Sequence, residues 1–387
     1  MIKAPLVRAC SSYLYLQNLL EKYELQARTS RGIVFLCGII THRFCSLFTK
    51  RHGQTLHRIA TVWCFAATPI ITEKAIWCIL HARMKKTLLL LLLNLGLCLP
   101  LCAQQQKPKL ITWQQIAAMP LPAPDYRLQY GPDSLQFGEL RLPEGSGPFP
   151  VVVVIHGGCW LSEYNLQYMS HVSEALTKAG YATWNIEFRR VGDAGGGWPG
   201  TFLDVARDTD YVRELAKMYP VNPKKVIVLG HSAGGHLALW LAARRKLPRK
   251  SPLYTRKPLK LKGIVTLAGI PDLAAYSAEE GSCNTAVPQL MGGMPAEVPE
   301  RYAEASPVQL LPLRVPQRLV QGDADPIVPV ALSQQYAAAA MAKGDDAQVL
   351  LIPNTGHFDL VATQSPAWPT ILQAVQALLP GKQKAAK

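Results

Sequence analysis

The sequence predicts an α/β protein: one mostly parallel central sheet with helices on both faces. Two observations carry this. From about residue 125 onward, apolar β-rich runs alternate with helical stretches, the pattern of a sheet covered on both sides. Within it, Val151 to Ile155 is an unbroken apolar run, and Val226 to Leu229 is another that leads directly into Gly-rich sequence and a helix.

The expected strands are Leu135 to Leu142, Val151 to Ile155, Ala182 to Phe188, Lys225 to Leu229, Leu261 to Leu267, Gln317 to Gln321 and Gln348 to Ile352. The expected helices between them are Tyr168 to Ala179, Phe202 to Met218, Gly234 to Arg245, Ala331 to Lys343 and Trp368 to Leu379. Residues 271–312 interrupt the alternation with Pro, Gly, Met and small residues, and follow a strand where a binding loop or lid would sit; a plain connecting excursion is the alternative. The cluster Arg244, Arg245, Lys246, Arg249, Lys250, Arg256, Lys257, Lys260 and Lys262 leaves a helix that starts at the strands' C-terminal edge. It therefore belongs at the opposite end from the site, as a solvated basic loop, with contact to an anionic membrane surface or glycan as the alternative.

The formal charge of +15 over 387 residues suggests a polyanionic partner until it is mapped. Residues 1–83 hold 11 Lys/Arg against 3 Asp/Glu, whereas residues 104–387 hold 28 against 23. No nucleic-acid partner is expected from so small an excess. Neither C-x-x-C nor H-E-x-x-H occurs, so no metal and no cofactor are expected.

Met84-Lys85-Lys86-Thr87 followed by Leu88 to Leu99 has the form of a secretory signal, closing at Leu101-Cys102-Ala103. Cleavage after Ala103 is expected, giving a periplasmic or secreted protein with no stable membrane insertion afterwards. Leu97 and Leu101 precede the two cysteines of this run, which argues against lipidation, and Leu88 to Leu101 falls short of the roughly 20 residues that span a bilayer. The expected organisation is therefore upstream translated sequence or a disordered extension over 1–83, a signal peptide over 84–103, a linker over 104–124, a catalytic domain over 125–380 and a basic tail over 381–387.

The chemistry centres on Gly230-His231-Ser232-Ala233-Gly234-Gly235. G-x-S-x-G between a strand and a helix is a nucleophile elbow, in which Ser232 stands on a strained turn with its Oγ exposed. Glycine is needed at 230 and 234 because side chains there would block the close approach of strand and helix. The helix start aims N–H groups at developing negative charge. Upstream, Val151 to Ile155 ends in His156-Gly157-Gly158-Cys159-Trp160, an oxyanion loop whose Gly157 and Gly158 N–H groups are expected to join that of Ala233. An acid and a histidine should follow in that order, each just after a strand. Asp323 and Asp325 follow Gln317 to Gln321, and His357 follows Val349 to Ile352. His231, His236 and His156 read as packing residues, Trp160 and Trp198 as core or pocket lining. Cys159 and Cys283 are the cysteines of the domain, and their spacing alone does not say whether they meet.

H-G-G-x-W, G-H-S-A-G-G-H, G-D-A-D-P-I-V-P and G-H-F, in that order, resemble the α/β-hydrolase superfamily over roughly residues 125–380. Within it the motifs resemble the small bacterial acyl esterases and kynurenine-formamidase-like or acyl-xylan and feruloyl esterase-like members, with similarity to the catalytic domain of prolyl oligopeptidases. Asn185 to Arg190, Gly195 to Pro199 and Asp204 also resemble the small bacterial esterases. The resemblance implies the α/β-hydrolase fold, Ser232 as nucleophile, His357 as base, Asp325 as acid by its spacing from Gly322, and Gly157, Gly158 and Ala233 around the oxyanion. Cys159 departs from it, standing where many relatives carry an aromatic or other bulky residue. No β-propeller fits before residue 125, unlike typical prolyl oligopeptidases.

The expected activity is hydrolysis of small carboxylic esters, aryl or glycan-linked, through an acyl-enzyme. Amide or short-peptide hydrolysis, of the prolyl oligopeptidase or arylformamidase kind, is the second reading. A non-catalytic binding protein on the same fold is the third.

Overall fold

Continuous apolar runs can only be satisfied in the middle of a sheet, and Val151 to Ile155 lies there with all five residues fully buried. The computed structural model describes residues 108–380, apart from 280 and 282. The upstream stretch 1–83, the signal 84–103 and the tail 381–387 lie outside the described residues.

Eight strands form one sheet in the order β1-β2-β4-β3-β5-β6-β7-β8. They are β1 (Tyr126–Gln129), β2 (Phe137–Arg141), β3 (Phe149–Ile155), β4 (Ala182–Ile186), β5 (Val221–His231), β6 (Gly263–Leu267), β7 (Gln317–Gly322) and β8 (Ala347–Ile352). β1 and β2 pair antiparallel, as do β2 and β4; every pairing from β4 through β8 is parallel. The seven expected strands are present. β1 escaped the sequence reading because Tyr-Arg-Leu-Gln is nearly all exposed at the sheet's edge and carries no apolar run.

The helices are α1 (Trp113–Ala117), α2 (Ser170–Lys178), α3 (Gly200–Met218), α4 (Ala233–Ala243), α5 (Leu273–Ser277), α6 (Ala286–Met291), α7 (Pro299–Ala305), α8 (Val330–Ala342) and α9 (Trp368–Leu378). α4 is buried along its whole length, as a helix apolar on every side must be. Residues 271–312 form three short helices, the last of them held on α4: Nε1 of Trp240 donates to the Glu304 carbonyl, 3.0 Å away, and His236 Nε2 to that of Ala305. Arg244 departs from the solvated-loop expectation; it is buried and ion-paired with Asp210 at 2.8 Å.

Residues 108–124 do not behave as a linker. Thr112 caps α1 in a reciprocal box with Gln115, Ile116 is buried, and the Ile111 N–H donates to Asp359 Oδ2 at 3.2 Å. Trp113, half-buried, packs against the core and supplies the apolar contact that a free linker lacks.

The parallel strands bring the chemistry together. Ile155, His231 and Leu267 end adjacent strands, and Gly322 pairs with Ile352, so the loops after β3, β5, β7 and β8 open at one edge of the sheet.

Candidate active site

Ser232 links β5 to α4 with φ 54° and ψ −120°, a left-handed conformation that costs a non-glycine residue about 1–3 kcal/mol. Close packing enforces it. A Cβ on Gly230 would lie 2.1 Å from the Gly234 carbonyl, and one on Gly234 would lie 2.3 Å from that of Ile155. The Ser232 N–H is anchored on the Leu267 carbonyl at 2.8 Å. Its side chain faces a cavity of about 60 Å3 lined also by His357, Gly158, Tyr168, Trp113, Cys159 and Cys283. The Ser232 hydroxyl makes no hydrogen bond among the described residues; such contacts commonly tighten only with substrate bound.

Asp325 meets His357 across the β7–β8 boundary: Oδ2 lies 2.8 Å from Nδ1, and both side chains are almost wholly buried. The carboxylate is held on its other sides by Gln321 Nε2 and by the N–H groups of Ile327 and Val328. A carboxylate at Nδ1 keeps the proton there and leaves Nε2 free to accept one. Asp323 turns away; its Oδ1 accepts the Asn354 N–H at 2.6 Å and braces the loop that carries the histidine.

The loop after β3 bears on the expected Gly157 donor. The Gly157 N–H donates to the Tyr168 hydroxyl, so it is already engaged. The N–H groups of Gly158, Cys159 and Ala233 have no hydrogen-bond partner among the described residues. Gly158 has φ 91°, and a Cβ there would collide with the Tyr164 side chain, whose Cβ would lie 2.2 Å away. That engagement was not legible in the sequence, because a hydroxyl arriving from another element leaves no mark on the motif.

Below the loop, His156 has Nδ1 2.9 Å from the Gly157 carbonyl and Nε2 3.0 Å from Glu187 Oε1. Burial by itself raises the Glu187 carboxyl, but His156 and Arg190 outweigh it and hold the group below its ordinary range. Thus the Asn185 to Arg190 segment braces the loop, and Arg189 closes on Asp204 at 2.7 Å behind it.

His231 is buried, and burial with the neighbouring His357 pushes its imidazole far down, so it is neutral. Its Nε2 donates to the His357 carbonyl at 3.1 Å, and its Nδ1 faces the Tyr168 hydroxyl at 3.2 Å. His236 is likewise neutral, pushed down to about 4 by burial; it accepts from Trp160 Nε1 and donates to the Ala305 carbonyl. Trp160 is therefore core rather than lining, and Trp198 packs on Phe202 away from the cavity.

Trp113 and Tyr168 were not anticipated, and whether the two cysteines meet was left open. Trp113 stands edge-on to Tyr164 and Tyr168, with ring centroids 5.1 and 5.5 Å away, and against Phe358. A legible signal existed in Thr112-x-x-Gln115, a capping box. Tyr168 had none. Cys159 and Cys283, 124 residues apart, form a disulfide with Cα atoms 5.1 Å apart, tying the oxyanion loop to the segment after β6.

The BD-FAE family profile matches residues 139–339. The chain belongs to the BD-FAE family. Esterase LipQ of Mycobacterium tuberculosis is 26% identical over 218 residues, covering 55% of this chain and 51% of that protein. An acylamino-acid-releasing enzyme of Arabidopsis thaliana is 26% identical over 216 residues, 54% of this chain and 27% of that protein. The chain spans about half the length of the first of these relatives and less of the second. Among solved structures, a truncated carbohydrate esterase from gut microbiota aligns with TM-score 0.56 at 23% identity, over 64% of this chain and 94% of that one. Esterase B from Lactobacillus rhamnosis aligns with TM-score 0.56 at 18% identity, over 77% and 94%. These likenesses establish the α/β-hydrolase fold. The BD-FAE match takes in Ser232 and Asp325 and ends before His357, which reaches the site through β8.

Proposed function

We propose that this chain is a serine carboxylic ester hydrolase that works through an acyl-enzyme. One observation carries the reading: Asp325 holds Nδ1 of His357 at 2.8 Å in the same cavity that receives the strained Ser232. In the proposed reaction Ser232 Oγ attacks the ester carbonyl carbon as its proton passes to His357 Nε2. The tetrahedral intermediate expels the alcohol, which takes that proton. Water then attacks the acyl-enzyme with His357 again as base, releasing the carboxylic acid and restoring Ser232. Asp325 keeps the imidazole in the required tautomer. Gly158, Cys159 and Ala233 are the proposed oxyanion donors, each worth about 3 kcal/mol of transition-state stabilisation.

The substrate assigned is an ester with a short acyl group. A cavity needs roughly 10–15 Å3 to admit one water, so about 60 Å3 holds a group of a few heavy atoms. The rings of Trp113, Tyr164 and Phe358 support an aryl or sugar ring beside it. The family match and the esterase names among the relatives agree with this chemistry. Export under the 84–103 signal belongs to the same proposal, and the Cys159–Cys283 disulfide favours an oxidising compartment.

The test pairs fluorophosphonate labelling with p-nitrophenyl esters of increasing acyl length. Labelling at Ser232, its loss in Ser232→Ala, and acetate turned over faster than hexanoate are expected. A folded protein that neither labels nor hydrolyses any ester of the series would overturn the proposal.

A further inference from the structure

At the far end of the sheet, the loop between α4 and β6 and the start of β5 enclose a cleft of about 800 Å3. Its walls carry Arg213, Lys224, Arg245, Arg256, Lys257, Lys260 and Lys262, with Tyr254 among them and no acidic side chain. The cleft is built, not a trailing loop. Arg213 Nη2 donates to the Lys257 carbonyl at 3.0 Å, the Leu259 N–H donates to Asp210 at 2.6 Å, and the Lys262 N–H donates to the Val226 carbonyl at 2.7 Å. Asp210 is already paired with the buried Arg244 and with Arg213. The other six cations make no ion pair among the described residues.

Six unpaired like charges around one concavity repel one another and focus a positive potential inside it. An anionic ligand relieves that repulsion. We propose that the cleft binds an acidic polysaccharide, a chain of uronate sugars whose carboxylates meet the Lys and Arg side chains while a ring packs on Tyr254. The form of the site selects this occupant. Its charges face a concavity, which a planar lipid surface does not enter, and a single aromatic offers no platform for successive nucleobases. β5 is paired on both sides, so no strand edge is open to an acidic peptide. Lys224 and Ser232 stand eight residues apart along and just past β5, about 26 Å at 3.3 Å per residue. The cleft therefore anchors rather than reacts, and the inference is independent of the ester chemistry.

The test measures binding of a fluorescent oligogalacturonate to the protein as it exists, beside a neutral xylo-oligosaccharide, an oligo-dT of equal charge and phosphatidylserine vesicles, at 50 and 200 mM salt. Oligogalacturonate should bind at least tenfold more tightly than the other three and weaken as salt rises. The pair Lys257→Glu and Lys260→Glu should weaken it at least tenfold while p-nitrophenyl acetate hydrolysis and melting temperature stay unchanged. Where no ester is hydrolysed, the melting temperature alone reports the fold. Absence of binding, equal or tighter binding of oligo-dT or vesicles, or binding indifferent to the charge reversals would each overturn the proposal.

Discussion

The Tyr168 hydroxyl sits between two loops, accepting the Gly157 N–H and facing Nδ1 of His231 at 3.2 Å. His231 passes the connection on by donating to the His357 carbonyl. One phenol, from a one-turn 3-10 segment ahead of α2, thus couples the oxyanion loop to the histidine loop. Tyr168→Phe leaves a buried N–H and a buried imidazole nitrogen unpartnered, a loss of about 1–3 kcal/mol in stability. We expect kcat to fall about tenfold or more with KM little changed, since the donors shift and the cavity does not. Steady-state kinetics with thermal denaturation check this; unchanged kcat would mean the coupling has no bearing on the oxyanion.

The two neighbouring aspartates should separate cleanly. Asp325→Asn removes the acceptor that sets the His357 tautomer and should lower kcat by up to about 10⁴-fold. Asp323→Asn keeps one acceptor oxygen for the Asn354 N–H and should mainly shift the melting temperature. The reverse order in measured kcat would move the acid role to Asp323.

Cys159→Ser combined with Cys283→Ser opens a loop of 124 residues, and loss of such a bridge costs about 2–5 kcal/mol. Because both cysteines line the small cavity, we expect the ratio of hexanoate to acetate turnover to rise as the wall loosens. Treatment of the wild-type protein with dithiothreitol should move both quantities in the same direction. An unaltered ratio would show that the bridge does not shape the acyl site.

His236 adds an acid limit to stability. The unfolded imidazole takes up a proton below about pH 6.5, whereas the folded one refuses it until about pH 4. Unfolding therefore binds a proton between those values, and stability falls as pH falls through the window, by roughly 3 kcal/mol for this group. The buried His231 acts in the same direction. Urea titrations at pH 7.5 and 4.5 should show a smaller difference for His236→Gln than for wild type; equal differences would contradict the buried neutral imidazole.

Much of the fold and the site was legible in the sequence because both are properties of short segments. A run such as Val151 to Ile155 is apolar whatever surrounds it, and Gly230, Ser232 and Gly234 announce a strained strand-to-helix turn through their spacing. The order of Ser232, Asp325 and His357, each after a strand, follows from chain connectivity. Contacts between distant segments leave no such local trace. Tyr168 reaching Gly157, Cys159 reaching Cys283 and Trp113 reaching Tyr164 depend on how loops fold back over the sheet. The basic cleft is of the same kind: the sequence shows a row of Lys and Arg, but only the packing of Arg213 and Lys224 against residues 254–262 makes it a concavity. Local periodicity and backbone strain are written residue by residue, whereas a hydrogen bond or a cavity wall exists only when side chains far apart in the chain occupy neighbouring space.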